Sequence, residues 1–195
     1  MNKIVATAAV RVTETDLADA RLGPRFGRLD LASQLALVAV ESFAASLEKL
    51  RRNRIGICLA VRAGSLSTDI EYWKGRNAPG GPSPTLFAYT LPSAAVGEIA
   101  IRHRLTGPNL CWIGNDKQLL PEAMGLILRN EADACIVIYS RVISTAAAEL
   151  ANLPKAAIAC AALLERGGAG MEIPEDLSPD MDSFCAEVSG RISSL

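Results

Sequence analysis

Three stretches of the chain are apolar almost without interruption: residues 54–61 (RIGICLAV), 132–139 (ADACIVIY) and 155–164 (KAAIACAALL). Each has the length of a strand and offers no polar face, the pattern of a strand covered on both sides of a sheet. Residues 4–12 are rich in Val, Ala, Ile and Thr and predict a further strand, and residues 109–113 predict a fifth, also buried. Between the strands the apolar positions shift to steps of three and four. Leu31, Leu35, Val38, Ala39 and Phe43 share one helical face over residues 31–50. Asp30 is placed to cap that helix, and Lys49, Arg51 and Arg52 suit its negative end. A second helix is expected over 91–104, with Thr90 as its cap and Pro92 in its first turn; Leu105-Thr106-Gly107-Pro108 stops it. A third covers 118–130, with Pro121 in the first turn. Residues 67–74 suggest a helical turn, and 144–153 a short helix or a connection. Residues 13–28, 62–82 and 167–179 carry the Gly, Pro, Ser and acidic residues of loops and a linker.

Strands alternating with helices, and strands apolar throughout, predict an α/β fold: a mostly parallel five-stranded sheet with helices on both faces. The main body is expected over residues 1–170. Residues 171–195 form a linker and a C-terminal amphipathic helix whose apolar stripe is Met181, Phe184, Cys185, Val188 and Ile192.

Composition narrows the function classes. A chain of 195 residues, half of it apolar, suffices for one domain with a sizeable core. A net charge of -1 gives no footprint for nucleic acid or an acidic membrane surface. The five cysteines contain no CxxC pair, and four sit in apolar runs, the usage of reduced core thiols in a cytoplasmic protein. His103 is the single histidine, which rules out a multi-histidine metal site; no metal or cofactor is implied. The N-terminus lacks a signal-peptide pattern, and no apolar run has the length of a membrane span.

The order of motifs then carries a resemblance. Arg25-Phe26-Gly27-Arg28-Leu29-Asp30 precedes the first long helix, and Arg54-Ile55-Gly56-Ile57 opens a strand. Ser83-Pro84 with Phe87, Leu91-Pro92-Ser93-Ala94-Ala95 and Gly97-Glu98-Ile99-Ala100-Ile101 form a loop and a small-residue helix. Leu105-Thr106-Gly107-Pro108, Glu131-Ala132-Asp133-Ala134 and Ala161-Ala162-Leu163-Leu164-Glu165 follow in order. Together, from about residue 25 to 166, they resemble the N-terminal half of β-ketoacyl synthases, condensing enzymes of the thiolase-like fold. The resemblance implies a nucleophilic cysteine at the start of the helix after the Gly-Pro strand. That place reads Gly114-Asn115-Asp116-Lys117-Gln118, so the lost nucleophile falls near Asp116. The family's two catalytic histidines belong to a second half that lies beyond this sequence, and its insertion before the last strand shrinks here to residues 140–154.

Two functions follow from that resemblance. One is a non-catalytic partner, like a chain-length factor, in fatty-acid, polyketide or polyene synthesis. It would form a homodimer, or a heterodimer with a ketosynthase, with an acyl carrier protein as a further partner. The other is an acyl-transfer or condensing enzyme using Cys111, or a site shared with a partner ketosynthase. Cys111, between Leu110 and Trp112, is the candidate nucleophile, set against its reading as a core thiol. Cys58, Cys135 and Cys160 read as core thiols. His103 reads as a solvated partner of a helix C-terminus, and Asp116 as a cap for the helix that follows it. Arg51, Arg52 and Arg54 read as a solvated basic face, or as a dock for an acidic carrier protein. An acyl-binding tunnel would be lined by residues such as Phe87, Leu91 and Leu120.

Overall fold

The computed structural model describes residues 3–18, 20, 22–114, 116–173 and 180–192, without the side chains of 182 and 189–192. Strand β1 is Ile4–Thr13, followed by two 3₁₀ turns, Glu14–Leu17 and Phe26–Arg28. Helix α1 (Leu31–Glu41) begins on Asp30, whose carboxylate accepts from the Ser33 N–H at 3.1 Å. A short α2 (Ala44–Leu47) leads to β2 (Ile55–Val61), then α3 (Leu66–Gly75), a single turn α4 (Pro84–Phe87) and α5 (Ala94–His103). Next come β3 (Asn109–Ile113), α6 (Leu119–Leu128), β4 (Ala134–Ile143), α7 (Thr145–Ala151), β5 (Ala156–Arg166), β6 (Met171–Glu172) and α8 (Met181–Ile192).

The sheet runs in the order β3-β2-β4-β5-β1-β6. β2 pairs in parallel with β3 and β4, while β5 is antiparallel to both β4 and β1, and β6 is antiparallel to β1. Four strands (β3, β2, β4 and β1) therefore share one direction, with β5 and β6 against them. The α/β fold and the cover on both faces match the sequence reading. The sixth strand, β6, lies inside the Gly-rich stretch taken for linker. A Cβ on Gly170 would come within 2.6 Å of the Ala6 carbonyl oxygen, so glycine lets that short strand reach β1.

One core fills the face under α1 and α5, joining Leu35, Val40 and Ile99 to Ile57, Leu59, Ile136 and Ile138. The other lies under α6 and α8, joining Leu119, Ile127, Phe184 and Val188 to Cys58, Val137 and Leu164. β2, β4 and β5 contribute to both, which is why their sequences show no polar face. Burying each such Leu, Ile or Phe favours folding by about 1.5–3 kcal/mol.

Three local expectations are corrected. The helix expected over 31–50 ends at Glu41, where the Ser42 hydroxyl donates back to the Ala39 carbonyl at 2.7 Å and Phe43 leaves helical geometry. Thr90 is not the cap of α5: its hydroxyl donates to the Phe87 carbonyl at 2.7 Å, closing α4, and α5 starts after Ser93. β3 is not a buried strand. It is the edge of the sheet, with Asn109, Cys111 and Ile113 exposed and Leu110 and Trp112 half-buried.

Candidate functional site

β3 enters through Gly107, where an added Cβ would lie 2.1 Å from the Ile55 carbonyl oxygen. Only glycine permits that approach, and it sets β3 in register beside β2, with Ile57 opposite Asn109 and Val61 opposite Ile113. The chain leaves β3 through Gly114 and reaches Asp116, while Asn115 lies outside the described residues.

Asp116 does not cap the helix that follows it. Gln118 stands at the N-cap of α6 and makes no side-chain cap bond, while the Asp116 backbone carbonyl accepts from the Leu119 N–H at 2.9 Å. The Asp116 carboxylate turns instead to α8 and accepts from the Met181 N–H at 3.1 Å. Asp180 completes that helix start, accepting from the Ser183 N–H at 2.9 Å and the Ser183 hydroxyl at 2.8 Å. Two carboxylates thus meet the positive end of α8, one of them 65 residues away in sequence. Sequence reasoning had no signal for this, because a cap contributed from a distant turn leaves no local spacing.

Cys111 is exposed rather than a core thiol. Partial desolvation pushes its thiol above the usual range, and no described residue hydrogen-bonds to it or pairs with it. The thiolate is the nucleophile, so this setting disfavours attack. The other four thiols are buried. Cys58 and Cys135 sit 3.5 Å apart across β2 and β4, and their contact together with burial raises Cys135 well above the normal range.

His103 is not solvated. Its side chain keeps 11% of its accessible surface, and its Nε2 lies 3.5 Å from a Glu41 carboxylate oxygen without a hydrogen bond. Arg102 forks onto the same carboxylate at 2.8 and 2.9 Å. Burial holds the imidazole below its ordinary pKa, although Glu41 acts in the opposite sense. Arg51 and Arg52 are exposed and Arg54 half-buried, and all three arginines are engaged. Arg51 and Arg54 both pair with Asp133, and Arg52 donates to the His103 carbonyl at 2.8 Å. They clamp the start of β2 to the turns before β3 and β4.

The expected acyl tunnel is not assembled within this chain. Leu120 is buried in the core under α6, while Phe87 and Leu91 are 59% and 63% exposed at the opposite face. Phe87 and Trp73 instead wall an open apolar cleft of about 480 Å³ between α3 and α4. Among the described residues, no cluster of His, Cys, Asp or Glu could hold a metal ion, and no helix is long and apolar enough to cross a membrane.

What the geometry brings together is an unpaired sheet edge with an apolar end. The Ile113 methyls lie 3.5 Å from where a Cβ on Gly64 would stand, the ring of Pro92 adjoins the same point, and the exposed Leu91 follows it.

No family model and no curated protein sequence matches the chain. Solved structures do match, and they place the fold among ketosynthase and chain length factor chains, of the thiolase-like kind. The ishigamide ketosynthase/chain length factor is similar at TM-score 0.68 and 20% identity, over 88% of this chain and 64% of that one. A type II polyketide acyl-carrier protein in complex with its ketosynthase bound to the hexaketide (AntDE:AntF) matches at TM-score 0.65 and 15% identity, over 85% of this chain and 63% of that one. This chain thus spans less than two thirds of the length of those two. The ketosynthase ApeO in complex with its chain length factor ApeC, from Xenorhabdus doucetiae, matches at TM-score 0.64 and 18% identity, over 97% of this chain and 93% of that one.

Proposed function

We propose that this chain is a non-catalytic, ketosynthase-like subunit that pairs with an active ketosynthase in the cytoplasm, as a chain-length factor does, in polyketide, polyene or fatty-acid synthesis. The observation that carries this reading is the edge strand β3, whose outer side has no partner strand among the described residues and whose last residue, Ile113, is exposed near the exposed Leu91. An open edge with apolar flanks is a liability in a lone molecule and a ready interface in a complex. The comparisons support it: this fold covers 93% of a chain in the ApeO–ApeC complex.

The place of the lost nucleophile, near Asp116, then carries a carboxylate already engaged in holding α8. A carboxylate cannot take and keep an acyl group as a thiolate does. The alternative, an acyl-transfer enzyme working through Cys111, is disfavoured by the raised thiol pKa.

Co-expression with candidate ketosynthases tests the proposal. A stoichiometric complex that Ile113→Lys abolishes is the expected result. A strictly monomeric chain that binds no ketosynthase would sink the reading. Intact-mass measurement after exposure to acyl-CoA separates the alternative, since an adduct lost in Cys111→Ala would favour the enzyme.

A further inference from the structure

Ser140 lies near the end of β4, the central strand between the two cores. The residue is 1% exposed, and its hydroxyl has no hydrogen-bond partner among the described residues. It faces a small chamber of about 10 Å³, walled by Asp30 and Ser33 at the start of α1, Gly64 and Ser65 after β2, and the Tyr89–Pro92 loop. Most polar groups there are committed. Tyr89 donates to Glu98 at 3.1 Å, Ser65 to the Thr90 carbonyl at 2.6 Å, and Thr68 to an Asp30 oxygen at 2.9 Å. Ser33 is itself 2% exposed.

A buried hydroxyl left without a partner costs free energy, and a chamber of this size is at the lower limit for one water. We propose that this chamber is a binding site for a single structural water, which bridges the Ser140 and Ser33 hydroxyls and the Asp30 carboxylate. These are enough polar groups to satisfy a buried water. The site joins the sheet centre to the start of α1 and sits behind the loop that presents Leu91. It does not depend on the functional reading above.

A high-resolution crystal structure of the full chain, alone or with its partner, tests it together with thermal melting of Ser140→Ala. The expected outcome is one density peak within hydrogen-bond reach of the Ser140 hydroxyl, and a melting point lowered by about 2–4 °C because the water loses a partner. Ser33→Ala lowers it likewise. If the chamber is dry, Ser140→Ala removes an unsatisfied group and melting rises. A rise, or a chamber without density, overturns the proposal.

Discussion

The two edges of the sheet are finished in opposite ways. At one, β1 is shortened as a template by the two-residue β6 and overlaid by α8, whose start is held by Asp116 and Asp180. At the other, β3 presents five residues with no strand outside them among the described residues, and Ile113 is 66% exposed. One end is covered from within the chain over Val5 and Ala6, and the other is covered by no described strand. A sheet capped at one edge over Val5 and Ala6, and at the other edge without a partner strand among the described residues, offers that second edge as the more open template.

The sharpest way to break that comparison is at the entry to β3. Gly107→Ala puts a Cβ against the backbone of Ile55, which has no room to give, so we expect destabilisation of about 4 kcal/mol or more, read by chemical denaturation. On the closed side, Phe184→Ala empties a side chain that is 1% exposed between α8 and the sheet. A loss of about 3–5 kcal/mol is expected, with binding of hydrophobic dye as α8 detaches. Asp116→Ala removes only the tether and should cost about 1 kcal/mol in the same assay. A much larger loss would mean that the turn after β3 does more than hold α8.

Acidity gives a smaller, graded effect at the junction of α1 and α5. Burial lowers the folded pKa of His103 below its ordinary 6.5, so the unfolded chain binds more protons and stability falls as the pH drops below that value. Glu41, lowered mainly by its bond to Arg102, extends the decline below its ordinary 4.5. The melting point of His103→Gln should depend less on pH just below 6.5, and an unchanged slope would refute the assignment. The smallest effect on the chain itself is expected at the open edge. Ile113→Lys should leave stability within about 0.5 kcal/mol while removing the complex with a ketosynthase. If it instead unfolds the chain, β3 is not a free edge.

How much of this was legible beforehand differs from element to element. The runs Ile55–Val61 and Ala134–Ile143 announced themselves, since a strand covered on both faces must be apolar at every position. Residues 109–113 read as a buried strand and form an edge instead, because four apolar residues after Asn109 read alike at a sheet's centre and at its edge. The stop of α1 at Glu41 escaped notice because Ser42 keeps the helical spacing while its hydroxyl bonds backwards. At the site, the absence of cysteine from residues 114–118 was plain from the sequence, but the engagement of Asp116 was not.

Local pattern thus determined the α/β class, most strands and helices and the apolar stripe of α8, because periodicity and side-chain type act within a few residues. Tertiary structure alone decided that β3 is an edge, that Cys111 is exposed, that His103 is buried beside Glu41, and that Asp116 reaches α8. Each of these depends on which distant segment lies alongside, and that is set by the packing of two cores against one sheet.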